Sequence, residues 1–118
     1  GSDGVPLPGK PHPRLYGCFP RVLGKYSRED GVISMQDAIH KMTGLSAIKS
    51  NLNDRGFIKK GLNADIVIFD EGTIIDKATY DNPRVYPDGI IHVFIDGEFA
   101  VKNGEQTDLR AGKVAKRS

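Results

Sequence analysis

The stretch Ile90-Ile-His-Val-Phe-Ile-Asp-Gly-Glu-Phe-Ala-Val101 predicts a β-hairpin in the second half of the chain. It places two runs of β-branched and aromatic residues around Asp96-Gly97, and an Asp-Gly pair supplies the two positive φ angles of a type I′ turn. Asn103-Gly104 repeats that turn signal, and the apolar run from Ala64 to Asp70 predicts a further strand. The second half is therefore expected to form a small antiparallel meander, with residues 76–88 as a long irregular connection.

The first half of the chain is predicted to be a loop followed by helices. Residues 1–18 hold several prolines, so no regular helix is expected there; these are Pro6, Pro8, Pro11 and Pro13. Pro20 suits the first turn of a helix that ends near Gly31. Apolar residues at helical spacing then predict a second helix; these are Met35, Ala38, Ile39 and Met42.

The ends of that second helix have recognisable signals. Ser34 is suited to cap its first turn, with Asp37 at the capping-box position. Gly44 is predicted to end it as a C′ glycine. A further helical turn is expected between Ala47 and Leu52.

Length and composition exclude several classes of protein. With 118 residues, 38% of them hydrophobic, and a net charge of +2, the chain matches one small folded domain rather than a disordered tail. A complete (β/α)₈ barrel needs about 250 residues, so this chain is too short to form one. The longest apolar runs fall far short of the about 20 residues that span a bilayer, so no membrane partner is expected.

Charge and cysteine content also bear on partners and location. The basic residues nearest the C-terminus lack interleaved aromatics, so they predict a solvated terminus rather than a nucleic-acid arm; they are Arg110, Lys113, Lys116 and Arg117. Nucleic acid is therefore not an expected partner. A single cysteine, Cys18, forms no intrachain disulfide and is expected to be an inert buried thiol. The lack of an intrachain disulfide fits a cytoplasmic protein, because the cytoplasm keeps thiols reduced.

The residues alone give little evidence of chemistry. The histidines are dispersed at positions 12, 40 and 92, and no metal-binding spacing occurs. Only residues 1–21 stand out, because they combine a carboxylate in Gly1-Ser-Asp-Gly4 with the polar and aromatic strings Pro11-His-Pro-Arg-Leu-Tyr-Gly17 and Phe19-Pro-Arg-Val-Leu-Gly24 that begin within them.

At these strings the chain resembles the N-acyl-D-amino-acid deacylases, or D-aminoacylases, of the amidohydrolase superfamily. The resemblance continues through Asp54-Arg-Gly56, the run from Ala64 to Asp70, and Asp76-Lys-Ala-Thr-Tyr-Asp-Asn-Pro83. It therefore covers essentially the whole chain. The run from Ala64 to Asp70 is shared across many amidohydrolases, whereas the two N-terminal strings are the narrower signal and point to the D-aminoacylase branch.

The resemblance implies a fold class and a division of the chain. Residues 1–55 would be the last loop and helices of a (β/α)₈ barrel, and residues 56–118 part of a small β-sandwich domain. The expected fold class is thus an α+β fragment of a larger enzyme. The missing N-terminal part of the same chain would be its partner and would complete the small domain. This segment is therefore expected to expose a sheet edge, and to self-associate or be partly disordered.

The resemblance also implies a reaction and its residues. In the full-length enzyme, zinc-bound hydroxide would attack the amide carbonyl of an N-acyl-D-amino acid. Asp3 matches the catalytic aspartate that takes and returns the proton, and it is also implied as a ligand of a weakly held second metal. Arg14 matches an anchor for the substrate's α-carboxylate.

His12 and Tyr16 are weaker candidates for substrate contact, with loop packing as the alternative for both, and Arg21 is expected to be structural. Gly1-Ser2 also matches the residues that a cloning scar leaves, in which case Asp3 would be the first natural residue. The family's other metal ligands have no counterparts in this sequence. The segment alone is therefore predicted neither to bind zinc as the enzyme does nor to hydrolyse amides. The alternatives are a hydantoinase-like amidohydrolase and a non-catalytic β-rich interaction module.

Overall fold

A computed structural model describes residues 1–116. Within them the chain is an α+β structure with the following elements: α1 (Arg14–Arg21), a π-helix (Val22–Glu29), α2 (Met35–Met42), α3 (Gly44–Lys49), β1 (Ile66–Phe69), β2 (Ile90–Ile95), β3 (Glu98–Lys102) and β4 (Glu105–Gln106). None of the helices in the described part of the chain is long and apolar enough to cross a membrane.

The chain divides into two compact units. Unit one contains Gly1–Ala38 and Asp70–Gly89, and unit two contains Ile39–Phe69 and residues 90–116. These units follow spatial contacts, so they leave the predicted domain boundary at residue 55 untested, and that boundary stays a prediction.

The predicted meander is confirmed in unit two. Its sheet has the order β1-β2-β3-β4, and all neighbouring strands are antiparallel. Asp96 and Gly97 have φ angles of 54° and 82°, and Asn103 and Gly104 have 53° and 80°. Both tight turns therefore have the two positive φ angles that their sequences predicted.

Both faces of this sheet carry apolar side chains. Val67, Val93 and Val101 are cross-strand neighbours on one face. On the other face the rings of Phe94 and Phe99 lie 4.4 Å apart. Every strand residue nevertheless keeps some solvent exposure in the part of the chain that the structure describes.

The helix α1 begins earlier than predicted. The expectation that residues 1–18 exclude a regular helix is wrong, because Arg14 is already helical. All four prolines of that stretch precede Arg14, and Pro13 itself has φ −55° and ψ −24°, which is helical geometry that proline adopts without strain. Prolines N-terminal to a helix thus permit its start.

The predicted position of Pro20 in a first helical turn is also wrong. Pro20 is the next-to-last residue of α1, where proline lacks a helical N–H and its ring crowds the carbonyl four residues earlier. The helix widens into the π-helix from Val22. A wider turn accommodates such a local misfit, and Gly31 follows at φ 64° as the predicted break.

The predicted cap of α2 is confirmed, whereas the predicted role of Gly44 is wrong. The Asp37 backbone N–H donates to Ser34 Oγ at 3.0 Å. Gly44, however, begins α3 and does not have a positive φ. A Cβ at Gly44 would lie 2.6 Å from the Phe57 ring. A side chain at this position would push that ring aside, so close approach of Phe57, and not a left-handed helix end, distinguishes this glycine.

Unit one has its core between the π-helix and residues 70–89. The buried apolar side chains there are Leu23, Ile74 and Ala78, with Ile74 fully buried. Arg28 donates to the carbonyl oxygens of Ile74 at 2.7 Å and Glu71 at 3.0 Å. Residues 76–88 are otherwise irregular, as predicted, and one isolated bridge joins Ile75 to Asp88.

Replacing Gly24 with alanine is expected to destabilise unit one. A Cβ at Gly24 would lie 2.3 Å from the Ile74 carbonyl oxygen, so the π-helix or the 70–89 segment has to move. We expect a loss of about 1 to 3 kcal/mol in the free energy of unfolding, measured by chemical denaturation. Gly112→Ala is the matched control, because a Cβ there meets nothing within 4 Å. Equal stabilities of the two variants would contradict this packing.

Candidate functional site

The structure brings the two main predicted site residues into contact in unit one. Arg14 Nη2 lies 2.7 Å from Asp3 Oδ2, and the side chains are 42% and 80% exposed. Asp3 has a φ of 52°, a left-handed geometry that short acidic residues tolerate better than most. The ion pair is therefore open to solvent and accessible to a small anionic ligand.

Close packing against α1 explains why Asp3 reaches Arg14. A Cβ at Gly4 would lie 2.8 Å from Leu15 Cα, so only glycine lets the chain pass this close to the helix. The Gly4 N–H also donates to Ser2 Oγ at 3.2 Å, which closes a tight turn around Asp3. The Gly1-Ser-Asp-Gly4 string thus places the carboxylate beside the first turn of α1.

His12 lies directly before α1 and contacts its first N–H. The Arg14 backbone N–H donates to His12 Nδ1 at 3.1 Å, so Nδ1 is an acceptor here. His12 Nε2 and Tyr80 Oη share a hydrogen bond at 3.0 Å, in which the tautomer with an acceptor Nδ1 makes Nε2–H the donor. The two rings also meet edge to face, with centroids 5.1 Å apart. His12 therefore packs between the helix start and the 76–88 segment.

Tyr16 makes a similar contact. Its ring meets that of Tyr86 edge to face at a centroid distance of 5.5 Å. This contact supports the packing alternative for Tyr16. Its role in substrate contact, like that of His12, stays a prediction.

Sequence reasoning missed the role of the 76–88 segment, which holds residues 7–21 in place. Arg84 donates to the carbonyl oxygens of Leu7 at 2.8 Å and Gly9 at 3.4 Å. Asp76 packs closely on α1, because a Cβ built at Gly17 would lie 2.9 Å from the Cβ of Asp76. The available signal was the pair of tyrosines in a segment without helical or strand periodicity.

Arg21 has the structural contacts that were expected of it. It pairs with Asp76 at 3.1 Å, and the Asp76 side chain is only 11% exposed. A hydrogen bond to Tyr26, followed in size by the bond to Asp76, raises the pKa of the Arg21 guanidinium. Cys18, on the same helix, is half-buried rather than buried.

Unit two contains a second charged cluster, formed by paired side chains. Arg55 bonds Asp54 at 3.0 Å and Asp65 at 2.8 Å, and Lys113 contacts Asp96. The Arg55 guanidinium lowers the pKa of Asp54, and the Lys113 ammonium lowers the pKa of Asp96. The Lys113–Asp96 contact attaches the C-terminal segment to the hairpin turn at the end of the sheet, and Arg55 joins Asp54 to Asp65 at the start of β1.

Neither cluster is a complete metal centre. Within residues 1–116, no group of three or more His, Cys, Asp or Glu side chains gathers closely enough to hold an ion. Asp3 is thus the one predicted metal ligand on this chain, and its carboxylate is paired with Arg14.

Comparison with known proteins identifies the family. A model described as "Amidohydrolase family" matches residues 1–101. The chain therefore belongs to the amidohydrolase family. This amidohydrolase segment is 42% identical over its whole length to a D-aminoacylase of Alcaligenes xylosoxydans, of which it covers 24%. It is 44% identical to an N-acyl-D-glutamate deacylase of the same organism, over 99% of this chain and 24% of that protein.

Solved structures of the family match the same segment. A crystal structure of D-aminoacylase, described as defining a novel subset of amidohydrolases, superposes with a TM-score of 0.95 and 44% identity over 99% of this chain and 25% of that chain. An N-acyl-D-glutamate deacylase from Bordetella bronchiseptica, complexed with zinc and a phosphonate mimic of the tetrahedral intermediate, superposes with a TM-score of 0.83 and 42% identity over 85% of this chain and 21% of that chain. The amidohydrolase segment thus spans about a quarter of the length of the relatives it matches.

Proposed function

We propose that the full-length protein containing this segment hydrolyses N-acyl-D-amino acids to a D-amino acid and a carboxylate. The observation that supports this function best is the contact between Asp3 and Arg14 at 2.7 Å. It places a group able to accept a proton beside a group able to bind a carboxylate. The family relatives, which include a D-aminoacylase and an N-acyl-D-glutamate deacylase, favour the same substrate class.

The spacing of the two groups suits this substrate. In an N-acyl-α-amino acid, only the Cα and the amide nitrogen separate the carboxylate carbon from the carbonyl carbon that water attacks. A base and a carboxylate anchor for such a molecule must therefore be close neighbours, as Asp3 and Arg14 are. The Arg14 guanidinium can donate two parallel hydrogen bonds to the substrate's α-carboxylate, which then replaces Asp3 at the guanidinium.

In the proposed reaction Asp3 moves a proton. Water adds to the carbonyl carbon of the amide, and Asp3 accepts the proton that the water loses. The C–N bond then breaks, and Asp3 returns that proton to the nitrogen of the departing D-amino acid. Released from Arg14 by the substrate, the exposed Asp3 carboxylate is free to serve both steps.

A metal does not fit the residues of this segment by themselves. They offer the single carboxylate of Asp3, without a gathered set of ligands among residues 1–116. A D-aminoacylase with a binuclear metal centre is among the structural relatives. We propose that zinc in the full-length protein is held by residues outside this segment, with Asp3 as a ligand of a second metal, and we predict that the segment alone neither holds zinc nor hydrolyses amides.

The finer architecture is proposed with the function. Residues 1–55 would end a (β/α)₈ barrel, and the sheet of unit two would belong to a small β-sandwich domain. The outer edge of β1 has no strand partner within the described residues, and Val67 on β1 is 51% exposed. We expect the isolated segment to self-associate at this edge. Separately, the single cysteine fits a cytoplasmic location for the protein.

A substrate panel on the full-length protein tests the proposed function. The panel contains N-acetyl-D-methionine, N-acetyl-D-glutamate, N-acetyl-D-aspartate, their L enantiomers and a hydantoin. We expect amine release from at least one D substrate, much slower release from its L enantiomer, and no opening of the hydantoin ring. Ring opening without amine release would favour a hydantoinase-like enzyme. Inactivity of the metal-loaded protein on every compound would favour a non-catalytic module.

A further inference from the structure

We propose that His12 and Tyr80 form a positioning pair that fixes Arg14 for binding the substrate's α-carboxylate. This inference rests on the proposed function, because it concerns how the same site is built. Neither residue is assigned a bond to the substrate or to the reacting atoms. They act through the backbone of Arg14 and the start of α1.

The first N–H of α1 is bonded by a side chain that precedes the helix. The first N–H groups of a helix have no partner within it, and Pro13, at the N-cap position, makes no side-chain cap bond. His12 Nδ1 accepts the Arg14 N–H at 3.1 Å and so satisfies the first of these donors. This bond fixes the backbone of the residue whose guanidinium contacts Asp3.

Tyr80 determines which way the His12 ring faces. Its hydroxyl lies 3.0 Å from His12 Nε2, and the ring edge packs on the tyrosine ring at 5.1 Å. A ring turned by 180° about its Cβ–Cγ bond would lose both hydrogen bonds. Tyr80 thereby keeps Nδ1 directed at Arg14 and Nε2–H directed away from it.

The segment that contains Tyr80 is itself attached to the same loop. Arg84 bonds the carbonyl oxygens of Leu7 and Gly9. Tyr86 packs against Tyr16, two residues beyond Arg14. The 76–88 segment is therefore attached to the chain both before Arg14, at Leu7 and Gly9, and after it, at Tyr16. This attachment holds Tyr80 in place beside His12.

The test uses His12→Ala, His12→Asn and Tyr80→Phe in the full-length enzyme. His12→Ala removes the acceptor and is expected to raise KM for an N-acyl-D-amino acid about three- to tenfold with kcat nearly unchanged, the effect of losing one hydrogen bond. His12→Asn is expected to restore most of the KM, because the asparagine Oδ1 can occupy the position of Nδ1. Tyr80→Phe keeps the ring and is expected to have a smaller effect of the same kind. His40→Ala is the matched control and is expected to leave both constants unchanged.

A second substrate separates positioning from a general loss of structure. For the α-carboxamide of the same N-acyl-D-amino acid, which offers Arg14 no carboxylate, we expect His12→Ala to leave KM unchanged. An equal rise of KM for the acid and the carboxamide would overturn the proposal. So would an unchanged KM for the acid in His12→Ala, or a His12→Asn variant that behaves like His12→Ala.

Hydrogen exchange distinguishes failure of this inference from failure of the proposed function. Backbone exchange of the peptide covering residues 13–17 is expected to accelerate in His12→Ala and to stay slow in His12→Asn, whatever the enzyme hydrolyses. If the wild-type enzyme cleaves no N-acyl-D-amino acid, the proposed function fails. The hydrogen-exchange rates of residues 13–17 in the His12 variants then still show whether His12 holds the start of α1. If Arg14→Ala raises KM while His12→Ala changes neither KM nor exchange, the positioning pair alone is wrong.

Discussion

Asp3→Asn is expected to lower kcat for hydrolysis of N-acyl-D-amino acids by the full-length enzyme about 100- to 10,000-fold, the usual contribution of a positioned general base. An asparagine occupies nearly the same volume and keeps an acceptor oxygen, but it cannot take the proton from water and return it to the amine. KM is expected not to rise, because Asp3 is the group that the substrate's carboxylate displaces from Arg14. Steady-state amine release measures both constants.

The control for this substitution is Asp81→Asn. Asp81 is a fully exposed carboxylate of the same unit, and its Oδ1 lies 3.9 Å from Lys10 Nζ, so its loss is expected to change neither kcat nor KM. A kcat near the wild-type value in Asp3→Asn would show that another group moves the proton. A similar fall in both variants would indicate a general effect of charge.

Arg14→Ala is expected to raise KM for the same substrates about 100-fold, with a smaller change in kcat. A hydrogen bond to a charged group contributes about 1.5 to 3 kcal/mol, and about 1.4 kcal/mol corresponds to a tenfold change in affinity. KM rises more than kcat falls because the substrate's carboxylate loses its bidentate partner equally in the ground state and in the transition state. Initial rates over a wide range of substrate concentration measure it.

Arg14→Lys tests the geometry of this interaction rather than its charge. Lysine keeps the positive charge but lacks the planar fork, so its KM is expected to fall between those of wild type and Arg14→Ala. A KM unchanged in Arg14→Ala would remove the carboxylate anchor from the proposal. A lysine variant equal to wild type would reduce the role of Arg14 to a point charge.

The turns and strands of unit two were predictable because their signals are local. Asp96-Gly97 and Asn103-Gly104 need positive φ angles at two successive residues, and few dipeptides adopt them without strain. The cap of α2 by Ser34 is local in the same way. Gly44 was misassigned because a helix-ending glycine and a glycine required by a close neighbour look alike in sequence. Only the contact with Phe57 separates them.

For the candidate site, the sequence led to a prediction of residues but not of their contacts. The family resemblance singled out Asp3 and Arg14, whose roles stay a prediction, whereas their direct pairing depends on the close packing of Gly4 against α1. The tyrosines of the 76–88 segment were a signal that it packs, but the contact of Tyr80 with His12 was not predictable, because the two are 68 residues apart and neither belongs to a periodic pattern. Side-chain contacts between irregular segments leave no signal in local propensity.

The measurement that tests the central claim most directly compares N-acetyl-D-methionine with its α-carboxamide on wild type, Asp3→Asn and Arg14→Ala of the full-length enzyme. We predict that Asp3→Asn lowers kcat/KM for both substrates by a similar factor, because both require the same proton transfer. Arg14→Ala is predicted to lower kcat/KM for the acid only. Equal losses on both substrates in Arg14→Ala, or wild-type rates on both in Asp3→Asn, would contradict the proposal that this segment provides the base and the carboxylate anchor of a D-amino-acid deacylase.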